Sequence, residues 1–201
     1  MAPNASHGHQ KTPRDVDCIE AQTRLFSWYE PVLVPGILHT AEYAAAVMAR
    51  VIDFYGIPDD LEVGGAARME RQQILHSGNY LFHFILVEQA LLTTVGNAEI
   101  MVGQFDCLLT ALSLPRVRFG FVPTSTFYRF PTNQFIMFDD RMVHVETVSA
   151  ELTITQPREI VLYGRVFKEL SRFAVYGQGA RELIRARSAE LRAGTSMVQE
   201  Q

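Results

Sequence analysis

The chain has 201 residues, of which 48% are hydrophobic and 20% are charged, so it can bury the core of one ordinary domain. The 22 acidic residues outnumber the 18 basic ones, and the net charge of -4 argues against a nucleic-acid surface, which needs clustered Lys and Arg. No run approaches the roughly 18 apolar residues of a membrane span, and the first residues contain no apolar signal segment. We therefore expect a cytoplasmic protein without membrane contact.

The first part of the chain is predicted to hold a tail, two helices and a proline-rich connection between them. Residues 1–17 are polar and rich in Pro, Asn, Ser and Gly, which predicts a disordered tail. Residues 18–29 offer apolar side chains for a short packed helix. Two prolines and a glycine within 31–36 predict an extended segment that is fixed against the core. Thr40 is a helix cap, and apolar residues at helical spacing predict a helix over 41–55.

The middle of the chain alternates between helical and strand patterns. A second helix is predicted over 59–75, weakened by two adjacent glycines. The almost wholly apolar run 80–88 predicts a strand that is covered on both faces. After a helical turn at 90–95, an apolar stripe predicts a helix over 98–112, and alternation predicts a strand over 117–121. This order of strand, helix and strand favours a right-handed parallel crossover.

The last part of the chain is predicted to contain a hairpin and two helices. Apolar runs at 134–138 and 142–148 flank a polar turn and predict the two strands of the hairpin. A proline at the first helical position predicts a helix from 157 to about 175. A final amphipathic helix is predicted over 180–191, followed by a loose tail at 193–201.

These elements predict one α+β domain over residues 18–192. Its sheet is expected to be small and mixed, with about four strands that form one parallel βαβ crossover and one hairpin. About six helices are expected to pack against it.

Several segments together resemble one known family. They are YEPVLVPGILHT at 29–40 followed by EYA at 42–44, RMERQ at 68–72, the pair Gln104-Phe105, and VET at 145–147. In order and spacing they resemble the uncharacterised domain that follows the helix-turn-helix in actinobacterial XRE-type regulators, the WhiJ-like and Scr1-antitoxin-like proteins. The resemblance covers the chain from about residue 18 to 191.

The resemblance implies a regulatory domain that binds a small protein partner or a small ligand. Residues 1–17 contain no helix pair, so we expect a family member without its helix-turn-helix and without direct nucleic-acid binding. Two departures concern polar positions. Leu92, Thr93 and Thr94 stand where the family has arginines, and His144 replaces a common tyrosine.

Two polar groups are candidates for ligand or partner binding. Arg68, Arg71 and Gln72 share one side of the predicted second helix and could meet Glu88 at a strand end. That cluster would be either an ion pair that locks helix to sheet or a clamp for an anionic ligand. His39 could line a pocket with Tyr29 or Tyr43, or be a core histidine.

Two further groups of residues each allow two interpretations. His144 and Glu146 lie two apart on a predicted strand and share a face, so they are either an acid-base pair or a polar sheet face. The aromatic loop with Phe127, Tyr128 and Phe130 is either a ligand lid or interface, or part of the core.

No GxSxG, P-loop, dinucleotide or HExxH motif occurs in the chain, and nothing indicates a cofactor or a metal. The first hypothesis is a non-enzymatic regulatory domain that binds a small protein or a hydrophobic small molecule. The alternative is a cofactor-independent cyclase or isomerase of specialised metabolism that acts on a hydrophobic intermediate, with His144 and Glu146 as catalytic residues. We also consider a homodimer, because regulators of this kind usually work as symmetric pairs.

Overall fold

The computed structural model describes residues 19, 21–56, 72–76, 78–126 and 133–199. Within them the strands are β1 (Leu25–Glu30), β2 (Leu81–Val87), β3 (Val117–Val122), β4 (Phe135–Phe138), β5 (Met142–Glu146), β6 (Glu151–Ile154) and β7 (Val175–Tyr176). The helices are α1 (Ala41–Tyr55), α2 (Gln89–Leu92), α3 (Ala98–Ala111), α4 (Pro157–Phe173) and α5 (Gly177–Gln199). Short 3-10 turns occur at Gly36–Leu38 and Gln73–Leu75. No helix among the described residues is both long and apolar enough to cross a bilayer.

The strands form one mixed sheet in the order β6-β5-β4-β1-β2-β3-β7. The central strands β1, β2 and β3 are parallel, with Phe84 opposite both Trp28 and Phe119. The other pairs are antiparallel: β4 with β1, β5 with β4, β6 with β5, and β7 with β3. The α+β class, the parallel β2-α-β3 crossover and the β4-β5 hairpin are therefore confirmed.

The predicted numbers of strands and helices were wrong. The described sheet has seven strands where about four were predicted, and five helices pack against it where about six were predicted. Residues 25–30 form β1 although a helix was predicted there. The strands β6 and β7 were missed because β6 is largely exposed and β7 is only two residues long. The last helix runs to Gln199, beyond its predicted end at residue 191.

The sheet separates two apolar layers. On the first face, phenylalanines of β1, β2 and β3 pack beneath α1, α3 and α5, together with Tyr43, Phe105 and Ile184. On the second face, Ile85, Phe135 and Val143 pack beneath α4 through Ile160 and Phe167. Because β2 is the central parallel strand and is covered on both sides, its sequence is almost wholly apolar without alternation.

The segment between β1 and α1 is anchored in the first layer, as predicted. Val34, Ile37 and Leu38 are 2%, 6% and 2% exposed. Thr40 then caps α1 by accepting a hydrogen bond from the backbone N–H of Tyr43 at 3.2 Å. The extended chain therefore fixes where α1 begins relative to the carboxyl end of β1.

The ring of Tyr176 lies against Gly120 in β3 and leaves no room for a larger residue there. A Cβ at residue 120 would come within 2.6 Å of that ring, and the Tyr176 hydroxyl lies 2.9 Å from Nε2 of His83. We expect Gly120→Ala to lower the free energy of unfolding by about 2 kcal/mol through overpacking. The matched control is Gly103→Ala in α3, where a Cβ meets nothing within 4 Å and removal of a helical glycine should stabilise by about 0.5–1 kcal/mol. Urea unfolding of both variants tests the pair, and equal effects would contradict it.

Candidate ligand site at the carboxyl ends of the parallel strands

A groove of about 400 Å³ lies where the connections after β1 and β2 meet one side of α1. It is lined by Leu33 after β1, by Thr93, Thr94, Val95 and Gly96 after β2, and by Ala46, Val47, Arg50, Val51, Phe54 and Tyr55 of α1. The carboxyl ends of parallel strands are where α/β sheets commonly bind ligands. The volume falls in the range of small-molecule sites, about 300–1,000 Å³.

The groove is mostly apolar, with a few polar groups on its wall. Phe54 and Tyr55 are 74% and 51% exposed, so α1 presents aromatic surface to solvent at this point. Arg50 forms no salt bridge to another described residue. Thr93 bonds through its hydroxyl to the backbone of Gln89 at 3.0 Å. Apolar walls with a few placed polar groups are typical of a site for a small amphiphilic molecule.

Gly96 allows the loop after α2 to approach α1 closely. Its φ is +68°, and a Cβ there would lie 2.7 Å from Cδ1 of Ile100 and 3.3 Å from Cβ of Ala46. The backbone conformation and the narrow space both favour glycine. This contact sets the distance between the two walls of the groove.

Gln104 of α3 holds the segment that forms the other border. It is fully buried, its Nε2 donates to the carbonyl of Leu38 at 2.7 Å, and its Oε1 accepts from the backbone N–H of Thr40 at 2.8 Å. Gln72 donates through Nε2 to the carbonyl of His39. These side chains satisfy backbone groups of the non-repetitive segment, which has no ladder partners of its own.

Glu30, the last residue of β1, lies on the first face of the sheet and is only 7% exposed. Burial raises the pKa of its carboxyl from 4.5 to about 8, and the charge of Glu146 adds to this rise. The indole of Trp28 and the backbone N–H of Leu33 oppose the rise. At neutral pH the Glu30 carboxyl is therefore mostly protonated and can act as a hydrogen-bond donor.

Two further polar groups of this region are buried without a well-formed hydrogen bond. They are Nε1 of Trp28 and the hydroxyl of Tyr43. Burial raises the pKa of Tyr43, and the nearby Glu30 adds to the rise. We refer to Trp28, Glu30 and Tyr43 as the donor cluster. The Glu30 carboxyl lies near the Trp28 indole, and the backbone of Val34 lies near the Tyr43 hydroxyl, so the protein has an acceptor close to each donor.

A comparison of the chain with known protein families finds one match. The model of a domain of unknown function, DUF5753, matches residues 14–186. The chain belongs to the DUF5753 family. The match includes the groove and the donor cluster. No curated protein matches the chain. The association with XRE-type regulators and the missing helix-turn-helix remain predictions.

His39 and Tyr43 lie together in this DUF5753 domain, whereas Tyr29 does not join them. The rings of His39 and Tyr43 are 4.7 Å apart, and Nε2 of His39 lies 2.6 Å from the carbonyl of Val34. Tyr29 points to the opposite face of the sheet, where its ring lies 5.5 Å from that of Phe135. Of the two pairings considered for His39, the structure therefore shows the one with Tyr43.

His144 and Glu146 project from the same face of β5, and each contacts a residue of a neighbouring element. Nδ1 of His144 lies 3.2 Å from Oε1 of Glu151 on β6. Oε2 of Glu146 accepts from Nε2 of Gln134 at 2.6 Å. These contacts fit the polar sheet face better than a dyad of His144 with Glu146, whose catalytic role remains a prediction.

Glu88 ties the end of β2 to the connection after β3. Its Oε2 accepts from the backbone N–H of Thr124 at 2.9 Å and from the Thr124 hydroxyl at 3.1 Å. Its predicted partners Arg68 and Arg71 lie outside the described residues, as do the aromatic-loop residues Phe127, Tyr128 and Phe130. Their pairing and their roles therefore stay predictions.

The sequence reasoning missed Glu30, Gln104 and Arg50 as site residues. Glu30 lies on the same strand face as Phe26 and Trp28, which indicates that it is buried. This pattern can be used only once β1 is recognised as a strand. Gln104 stands among the buried positions of α3, where a polar residue signals a specific hydrogen-bonding task. Within the described ranges no three His, Cys, Asp or Glu side chains are placed to hold a metal ion.

Proposed function

We propose that this DUF5753 domain is a non-enzymatic regulatory domain that binds a hydrophobic small molecule in the groove between α1 and the loop after α2. The observation that carries the proposal is the apolar groove itself, about 400 Å³ in volume, at the carboxyl ends of β1 and β2. Phe54, Val51 and Leu33 supply apolar surface for the ligand. Burial of that surface is the main source of binding free energy in such a site.

The polar residues of the groove favour a ligand that also carries an anionic group. Arg50 supplies a guanidinium group, and Thr93 and Thr94 supply hydroxyl groups. The resemblance noted in the sequence implies that other members have arginines in the stretch 92–94. Short side chains at positions 93 and 94 leave room for a ligand where longer cationic side chains would stand.

Blocking the groove is expected to abolish binding of an apolar anion. We predict that wild-type protein binds 8-anilinonaphthalene-1-sulfonate, and that Ala46→Trp weakens this binding by about tenfold or more because the indole occupies the groove. Ala45→Trp is the matched control, since Ala45 is exposed on the same helix and does not line the groove. Fluorescence titration measures both affinities, with near-UV circular dichroism as the check on folding. Equal affinity of Ala46→Trp and wild type would refute the proposed site.

The donor cluster supports a second candidate, a cofactor-independent cyclase or isomerase. A neutral Glu30 carboxyl in an apolar layer can donate a proton to a substrate oxygen or double bond. Under this candidate the general acid is Glu30, which was not among the predicted catalytic residues His144 and Glu146.

A further inference from the structure

The strand β6 is the last strand at one end of the sheet, and no other described strand pairs with its outer side. It ends the strand order opposite β7, and Glu151, Leu152 and Thr153 are exposed. The backbone N–H of Thr147 donates to the carbonyl of Ala150 at 2.9 Å, which makes this the hydrogen-bonded pair that closes the β5-β6 hairpin. Hydrogen-bonded and non-hydrogen-bonded residue pairs alternate along an antiparallel ladder. The backbone N–H and C=O groups of Leu152 and Ile154 therefore point towards β5. The N–H and C=O groups of Glu151 and Thr153 therefore point away from the sheet.

Exposed apolar side chains occur on β6 and at the start of α4. Leu152 is 47% exposed, Val161 is 51% and Leu162 is 56% exposed. The helix α4 begins three residues after β6 ends, and Ile160 belongs to the apolar cluster against which Ile154 of β6 packs. The strand β6 therefore combines exposed apolar side chains with backbone groups that no described strand binds.

We propose that β6 pairs antiparallel with β6 of a second copy of the chain around a two-fold axis. Such an interface requires a surface that is complementary to itself. With Thr153 opposite Thr153 of the second copy, the outward N–H and C=O groups meet, and Leu152 lies against Ile154 of the second copy. The alternative register with Glu151 at the axis places two carboxylates directly opposite each other and is disfavoured.

The edge lacks most features that prevent strand pairing. Residues 151–154 contain no proline and no lysine, and their pairing with β5 shows no bulge. The one charge, Glu151, contacts His144 on β5 at 3.2 Å, which holds its carboxylate over the sheet. Because four paired residues form a small interface, the apolar residues Val161 and Leu162 of α4 must add area, and the dimer should dissociate on dilution.

Sedimentation velocity over about 1 to 100 µM protein tests the proposal, because a dimer of this size shifts with concentration. Wild type should be mainly dimeric at the upper end of that range. Thr153→Pro removes an outward N–H but no bond to β5, so it should weaken dimerisation by about tenfold or more. Thr153→Ala keeps the N–H and should dimerise as wild type does.

A second variant tests the same interface independently of whether Thr153→Pro folds. Leu152→Lys places a charge on the exposed edge and should also yield a monomer with unchanged far-UV circular dichroism. A wild type that stays monomeric at the highest concentration overturns the proposal. So does a folded Thr153→Pro or Leu152→Lys variant that remains dimeric, since the contact would then lie elsewhere.

Discussion

Gln104→Leu is expected to lower the free energy of unfolding of this domain by about 3 kcal/mol. The substitution keeps the volume of the side chain but removes two hydrogen bonds. The N–H of Thr40 then loses its partner, and the carbonyl of Leu38 keeps only the weak thiol donor of Cys107 at 3.5 Å. An unsatisfied buried backbone group costs about 1–3 kcal/mol, which is more than a hydrogen bond contributes on average.

Thr110→Val is the matched control for this variant. Thr110 is exposed on the same helix and bonds only to its own backbone turn at Asp106, so its loss should change stability by less than about 0.5 kcal/mol. Urea unfolding gives both free energies, and hydrogen exchange at Thr40 reports whether the anchored segment loosens. If Gln104→Leu unfolds like wild type, the segment between β1 and α1 is held by other contacts.

The second large effect concerns the pH dependence of stability through Glu30. The pKa of its carboxyl is about 8 in the fold and about 4.5 when exposed, so the folded chain binds one more proton between these values. Its contribution to stability is therefore complete below pH 4.5 and is lost as the pH rises towards 8. Where the folded chain binds one proton more than the unfolded chain, the free energy of unfolding falls by about 1.4 kcal/mol per pH unit.

Glu30→Gln should remove this dependence, because an amide imitates the neutral carboxyl and does not titrate. We expect the stability of wild type, relative to this variant, to fall steadily between pH 5 and pH 8, as measured by urea unfolding at each pH. Glu99→Gln, an exposed change on α3, should leave the wild-type curve unaltered. Parallel curves for Glu30→Gln and wild type would mean that Glu30 is ionised in the fold.

The same variant separates the two candidate functions. If the domain is an acid-dependent cyclase or isomerase, Glu30→Gln removes the proton donor and turnover should fall by about 10²-fold or more. If the domain only binds its ligand in the groove, Glu30→Gln should keep the affinity for 8-anilinonaphthalene-1-sulfonate.

The sequence predicts elements well where local signals and tertiary structure agree. Thr40 and Asn97 each cap the helix predicted after them, and their side chains accept the expected backbone hydrogen bonds. The apolar run of β2 was read correctly because a strand covered on both faces needs no alternation. In each case a few neighbouring residues contain the whole signal.

The sequence fails where tertiary contacts decide the outcome. The β1 residues Phe26, Trp28 and Tyr29 fit a packed helix as well as a strand, and only pairing with β2 selects the strand. The alternation of polar and apolar residues in β6 was a strand signal, but it spans only four residues. The groove joins three segments that are distant in sequence, so no local pattern encloses Leu33, Arg50 and Thr94 together. The raised pKa of Glu30 likewise follows from burial beneath α1 rather than from adjacent residues.

The central claim is that the space between α1 and the loop after α2 receives an apolar ligand. A two-dimensional ¹H–¹⁵N titration with 8-anilinonaphthalene-1-sulfonate tests it most directly. The largest amide shifts should fall on Leu33, on Arg50 and on residues 93–96, with little change on the opposite face at His83 and Phe167. Shifts concentrated on α4 or β6, or no saturable shifts at all, would contradict the assignment of the groove as the ligand site.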